Sequence, residues 1–329
     1  MKKLLILLLS GSSLAAQAQV EPHFSQYYVY PMWLNPALAG TSENAYRVSG
    51  LYRNQWAGIS TPFSTFGVSG DFSAGNNVGL GANIMRQTAG TGGYTYTTGM
   101  LSFSWNGIRW GADARHQLGL GLQAGFLNRR FDPSKFQGGD QWQAGVGFNP
   151  TLPTTDPLTR SAAGAFDVGA GIAYVNSAAD ANVNPFGGIS AAHLTQPQDP
   201  FIVSGEAKRL PVRLTVHGGA RVRVSDNAFI VPNLLFMQQG TAREIMAGGY
   251  AQLRVNETTD FMVGANYRLE DAVSPYAGVL FGNMMIGLSY DVNTSRLGKM
   301  ARGANAFELS LTLLGKRGES MDYFKCPRF

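Results

Sequence analysis

Three observations predict an all-β fold for this 329-residue chain, in the form of a single transmembrane antiparallel β-barrel of about 14 strands, within roughly 12–16. Short segments of alternating apolar and small or polar residues recur from Tyr46 to Leu313. No apolar run beyond the first residues is long enough to cross a bilayer as a helix. The connections between segments alternate between long and short, as they do in barrels whose two ends both face the periplasm. Gln117–Phe131 shows the pattern most clearly. Leu118, Leu120, Leu122, Ala124 and Phe126 share one side of an extended chain, and Gly119, Gly121, Gln123 and Gly125 share the other.

The chain opens with Met1-Lys2-Lys3, an apolar core from Leu4 to Leu9, and a small-x-small site at Ala16-Gln17-Ala18. That is the form of a secretory signal peptide, residues 1–18, and the core is too short to anchor the protein. Residues 19–44 then combine His23, Phe24, Tyr27, Tyr28 and Trp33 with Pro22, Pro31 and Asn35-Pro36. The prolines interrupt regular structure, and the aromatic density is that of a segment with something to bury. This predicts an ordered, plug-like stretch inside or under the barrel.

The barrel is expected over 45–314. Its strands are read as Tyr46–Arg53, Phe66–Phe72, Val78–Ile84, Tyr94–Trp105, Gln117–Phe131, Phe166–Tyr174 and Phe186–Leu194. Val212–Val224, Phe229–Met237, Glu244–Arg254, Asp260–Leu269, Ser274–Phe281, Met284–Asp291 and Phe307–Leu313 complete the set. Gly75-Asn76-Asn77, Ser225-Asp226-Asn227, Asn256-Glu257-Thr258 and Gly282-Asn283 read as short periplasmic turns. Asp132–Ala165, Thr195–Pro211 and Val292–Ala306 read as external loops, while Asn176–Pro185 is longer than a periplasmic turn should be. Residues 315–329 form a periplasmic tail.

With the apolar set facing lipid, Arg47, Arg53, Asp71, Arg213, His217, Arg221, Arg223, Arg254, Arg268, Asp291 and Glu308 face the lumen. A charge on the lipid face costs a few kcal/mol near the midplane, which decides the assignment. These charges either pair across the interior or, if the lumen is open, give a passive channel for small solutes an anion preference. Export and amphipathic strands place the chain in a bacterial outer membrane, in contact with its lipid.

Composition excludes other classes. The formal charge of +5 is dispersed, with no basic patch of the kind that binds nucleic acid. The four histidines lack metal-ligand spacing, and no Ser lies in a Gly-x-Ser-x-Gly elbow. Gly119-Leu120-Gly121 lacks the following helix of a nucleotide site. The sequence points to no enzyme and no cofactor. Cys326 is the single cysteine, so there is no internal disulfide.

At His23-Phe24-Ser25-Gln26-Tyr27-Tyr28 and Leu34-Asn35-Pro36-Ala37-Leu38-Ala39-Gly40 the chain resembles the PorP/SprF family of the type IX secretion and gliding machinery of Bacteroidota. The resemblance continues at Tyr52-Arg53-Asn54-Gln55-Trp56, at Gly287-Leu288-Ser289-Tyr290-Asp291, in a last strand through Phe307-Glu308-Leu309-Ser310-Leu311, and in the closing Cys326-Pro327-Arg328-Phe329. From 132 to 211 it is one of character only. The resemblance implies a non-enzymatic outer-membrane barrel. It would associate with type IX periplasmic and outer-membrane components, or hold a secreted adhesin at the cell surface through that adhesin's C-terminal domain. The motif residues either shape and pack the protein or dock a partner.

Overall fold

The alternation persists through a closed sheet of fourteen antiparallel strands, each paired with its barrel neighbours in chain order. The computed structural model describes residues 21–315 apart from 43, 59–60, 76, 91–92, 133–134, 136–137, 153–160, 179, 199–208, 296–297 and 299–304. The strands are β1 (Tyr46–Gln55), β2 (Phe63–Ser73), β3 (Val78–Ala89), β4 (Tyr94–Trp110), β5 (His116–Arg130), β8 (Ala162–Asn176) and β9 (Val183–Ala192). After them come β10 (Arg213–Ser225), β11 (Ala228–Gln239), β12 (Ala242–Asn256), β13 (Thr259–Arg268), β14 (Ala272–Phe281), β15 (Met284–Asn293) and β16 (Ala306–Gly315). The remaining two, β6 (Trp142–Gln143) and β7 (Gly147–Phe148), form a small hairpin within the connection from β5 to β8. β1 closes on β16 in continuous register from Tyr46↔Gly315 to Gln55↔Ala306. Closure leaves no unpaired edge, the condition for a sheet to stand in hydrocarbon.

All fourteen expected strands are present, with shifted ends that have local causes. β4 continues past Trp105 because the register slips between Trp105 and Ile108. The slip keeps Ile108 and Trp110 on the outer face, which a strict period of two would have turned inward. β9 starts at Val183 and ends at Ala192, where His193 takes a positive φ of 61° and turns the chain. The connection from β8 to β9 is therefore 177–182, shorter than the sequence suggested though still the longest at the periplasmic end.

The longest connections, 131–161, 193–212 and 294–305, share one end of the barrel, and on length that end is external. Short connections also occur there, at 240–241 and 269–271, so the longest members decide the orientation. The outer wall exposes Val68, Ile84, Leu101, Leu122, Phe126, Ile189, Val263 and Leu309. Aromatic rings stand outward near both rims, with Tyr46, Phe72, Trp105 and Phe281 at the periplasmic end and Phe66, Tyr267, Tyr290 and Phe307 at the external end. Among the described residues no helix is long and apolar enough to cross a membrane. The strands do so.

The core lies inside the barrel. Residues 21–40 occupy the lumen as a 3-10 turn (Tyr27–Val29), a one-turn helix α1 (Pro31–Leu34) and a second 3-10 turn (Pro36–Leu38). Pro31 and Pro36 open their turns, where a fixed φ suits the first position and no amide is missed. The Asn35 side chain caps the second turn by accepting from Ala37 N at 3.0 Å. Phe24, Tyr27, Tyr28, Tyr30, Met32, Trp33, Leu34 and Leu38 are all buried.

Candidate functional site

The lumen segment is held by three groups of contacts. At the external end, Glu21 receives Arg213 Nη1 at 2.6 Å and the Tyr96 hydroxyl at 2.8 Å. His193 Nε2 lies 2.8 Å from Glu21 Oε1, and its Nδ1 lies 2.6 Å from Asp167 Oδ2. Burial alone would push Glu21 up, but the charges of His193 and Arg213 outweigh it and hold the carboxyl well below its usual range. Burial likewise works against a charged His193. Glu21 and Asp167 prevail, and its pKa rises to about 9.

A second cluster, also near the external strand ends, is the densest. One Glu308 carboxylate accepts Ser25 N at 2.6 Å and Gln26 N at 2.9 Å, and its first oxygen also takes Arg53 Nη1 at 2.5 Å. Asp291 accepts the Ser25 hydroxyl at 2.7 Å, Arg53 Nη2 at 2.9 Å and Arg268 Nη2 at 2.7 Å. Arg268 reaches the Ser25 hydroxyl and Asp271 as well, and Asn266 Nδ2 donates to Ser25 O at 3.1 Å. Gln26 donates to the Ser289 hydroxyl at 3.1 Å and accepts from that of Ser310 at 2.7 Å. His23 sits against this group, 3.4 Å from Arg53 Nη2 and 3.8 Å from Glu244. Burial, then Arg268 and Arg53, hold its pKa well below the ordinary value, so the ring is neutral. Buried charges are tolerable only when paired and hydrogen-bonded, and here two arginines and two carboxylates meet around a single serine.

Lower down the contacts are aromatic and backbone-directed. Phe24 packs edge-on against Tyr30 and Trp33, and Tyr28 against Tyr276. The Tyr27 hydroxyl donates to Asn233 at 3.0 Å, and burial raises the pKa of Tyr27 and Tyr28. Trp33 lies under the Arg213 guanidinium, 4.2 Å from the ring centroid, and its carbonyl accepts Arg213 Nη2 at 3.0 Å. Asn35 Nδ2 donates to Ile172 O at 3.0 Å and lies 3.2 Å from His217 Nε2. Ser190 donates to Leu34 O and Ser104 to Ala39 O, each at 2.6 Å. Gly40 N donates to Asp71 at 2.9 Å, and Arg47 grips the same carboxylate.

Glycine in the wall shapes the seat. A Cβ on Gly121 would meet the backbone of Pro36 and Ala37, and one on Gly79 would meet the Ala39 carbonyl. Gly81 makes room for Met32, and Gly171 and Gly188 for Asn35. These inward glycines of β3, β5, β8 and β9 thin the barrel wall where α1 and the following 3-10 turn lie against it.

His23, Phe24, Ser25, Gln26, Tyr27, Asn35 and Pro36 therefore meet in the lumen, and Gly40 lies at its periplasmic exit. Arg53, Arg268, Asp291 and Glu308 form the clamp; Arg47 and Asp71 hold the exit; Arg213 bridges Glu21 and Trp33. Arg221 and Arg254 stand apart from the segment, Arg221 over the Phe229 ring at 3.5 Å and Arg254 beside Asp260 at 3.6 Å. The backbone N–H of Arg223 donates to Asn182 O at 2.8 Å, and the residue sits near the periplasmic rim. Tyr290 parts from Asp291 by strand alternation, faces the membrane side and accepts from Asn305 Nδ2 at 2.8 Å. Cys326, Pro327 and Phe329, like the signal peptide, lie outside the described residues. Sequence reasoning missed Glu21, Tyr96, Asp167, His193, Ser104, Ser190 and Asn266. All but Glu21 and His193 are polar residues at inward positions of strands, and that parity was the available signal.

No group of three or more His, Cys, Asp or Glu arranged to hold a metal occurs among the described residues. What the arrangement does is hold a peptide segment through its backbone and its side chains together.

A family model described as type IX secretion system membrane protein PorP/SprF matches residues 16–313. A comparison with curated proteins returned no match. Among solved structures, the Ralstonia pickettii toluene transporter TbuX is similar at a TM-score of 0.48 and 13% identity, covering 85% of this chain and 90% of its own. The Pseudomonas putida toluene transporter TodX is similar at a TM-score of 0.48 and 11% identity, covering 86% and 93%.

Proposed function

The chain belongs to the PorP/SprF family of type IX secretion system membrane proteins, and on that premise we propose that it acts as a closed surface platform which retains a secreted adhesin. It is a non-enzymatic outer-membrane component of that system. Its dealings with the machinery follow from the family, while the adhesin and the surface that holds it are the proposal.

The observation that carries the reading is the occupied lumen. Eight large apolar side chains of residues 24–38 and the Glu308–Asp291 clamp are committed to fixing the chain's own segment there. A barrel filled in this way is a poor conduit, and the motif residues from His23 to Pro36 are buried in it. The contact then falls to the external connections. Support comes from the β6–β7 hairpin, where Trp142 is 58% exposed, Val146 is 75% exposed, and Trp142 packs against Phe148 at 6.2 Å between centroids. Exposed apolar groups of this size on a polar loop are what a protein partner buries.

Surface cross-linking of intact cells followed by affinity purification tests this. A type IX adhesin should co-purify with the wild type and be reduced at least about tenfold by Trp142→Ser with Val146→Ser, the loss expected for an aromatic anchor. Undiminished recovery with the double variant, while the barrel still assembles, overturns the assignment of the hairpin. Recovery of periplasmic machinery without any adhesin overturns the retention role itself.

A further inference from the structure

Among the described strand residues, only three Asp, Glu, Lys or Arg side chains face the membrane side: Arg86, Arg130 and Arg243. All three are arginine, all are exposed, and all stand at external strand ends. None has an ion-pair or hydrogen-bond partner among the described residues. Every other charged strand residue belongs to the lumen side or its rims. An unpaired, exposed guanidinium one step above an apolar belt is placed to meet an anion at the lipid headgroup level.

Two of the three belong to one patch. The register puts Arg86 opposite Thr97 and Thr97 opposite Asn128, with Arg130 two residues further along β5. Two strand spacings and two residues of rise set the arginine Cα atoms about 12 Å apart. Thr88, Thr95, Thr97 and Asn128 are half-buried or exposed on the same face and supply uncharged donors around them. One step toward the membrane centre, β3 presents Ile84 and β5 presents Phe126, both exposed. The surface thus changes within two residues from acyl-chain contact to a cationic, hydroxyl-rich patch. No carboxylate interrupts it on β3, β4 or β5.

We propose that Arg86 and Arg130 form a binding site for the phosphate of a phosphorylated outer-leaflet glycolipid of the lipid A type. Acyl chains lie on Ile84 and Phe126, and the phosphate is received by the two guanidiniums with Thr97 and Asn128 between them. The site is on the outer wall, on the opposite side of the sheet from the lumen clamp. It anchors and orients the barrel in the outer leaflet.

Native mass spectrometry of the detergent-purified protein, titrated with phosphorylated lipid A, tests the proposal. The wild type should take up one lipid, and Arg86→Gln with Arg130→Gln should weaken uptake about thirtyfold, from about 1 kcal/mol per arginine near an anionic lipid surface. Dephosphorylated lipid A should bind both proteins equally weakly, and Arg243→Gln should leave uptake unchanged. The proposal is overturned by equal uptake in wild type and double variant, or by an equal loss from Arg243→Gln, which would make the effect one of general charge. Displacement by millimolar inorganic phosphate also overturns it, since the ligand would then be a free anion. Both variants alter exposed side chains, and heat-modifiable migration on gels checks that the barrel has formed.

Discussion

Replacing Glu308 by alanine should unseat the lumen segment while leaving the barrel closed. The wild-type carboxylate is fully buried and takes three charge-assisted hydrogen bonds, from Ser25 N, Gln26 N and Arg53 Nη1. Hydrogen bonds to a charged group contribute about 1.5–3 kcal/mol each, and removing one partner of a buried ion pair costs about 3–5 kcal/mol. The three bonds share one group and do not add. Asp291 still serves Arg53 at 2.9 Å, so about 4 kcal/mol is the reasonable figure for the local effect. That corresponds to about a thousandfold rise in the open population of the segment. Amide hydrogen exchange at Ser25 and Gln26 reads it directly, because both amides lose their acceptor and exchange reports local opening. The expected result is a loss of protection near a thousandfold at these two amides, with the β1–β16 ladder still protected. Glu308→Gln keeps one acceptor and should lie between the two. Unchanged protection of Ser25 and Gln26 in Glu308→Ala would refute the reasoning, because the clamp would then contribute nothing to seating.

Gly121→Val drives a side chain into the backbone of Pro36 and Ala37, where neither partner is a flexible side-chain end. It should raise exchange across 33–40 and destabilise by at least about 2 kcal/mol, whereas Gly50→Ala meets nothing within 4 Å and should be silent. The external latch predicts a pH dependence with a definite sign. The folded pKa of His193, about 9, lies above its ordinary 6.5, so its contribution is complete below 6.5 and is lost as pH rises through 9. Glu21 is held below its ordinary 4.5, so its contribution is complete above 4.5 and fades as pH falls below it. Protection of Tyr96-to-Glu21 contacts, followed by exchange at residues 21–24, should therefore be greatest between pH 4.5 and 6.5; His193→Gln should abolish the alkaline decline. Deleting residues 21–40 should give steady conductance in a planar bilayer where the full chain gives none. A silent deletion variant with an intact barrel contradicts the plug assignment.

The barrel was legible because its physics is repetitive. Each strand repeats one period-two pattern, and lipid outside makes that pattern compulsory, so Leu118–Phe126 and Val78–Ile84 could be read without knowing their neighbours. The ends were less legible where a local event changes parity, as at the Trp105–Ile108 slip and the positive φ of His193. The seat was visible only in outline. The aromatic residues of 24–33 announced burial, and Arg53, Asp291 and Glu308 announced an inward charge set. Nothing in the sequence says that Glu308 would accept the amides of Ser25 and Gln26, residues 283 and 282 positions away. The glycines at 79, 81 and 121 looked like small wall residues, since what they make room for arrives from another part of the chain.

The most direct measurement concerns cargo. In cells that lack this chain, the type IX adhesin that the proposal assigns to it should be made and exported yet fail to stay on the surface, and be recovered from the medium. Complementation with the wild type should restore surface attachment, and complementation with Trp142→Ser and Val146→Ser should not. If the deletion strain keeps every type IX cargo secreted and attached at wild-type levels, the account of this barrel as a retaining platform is contradicted.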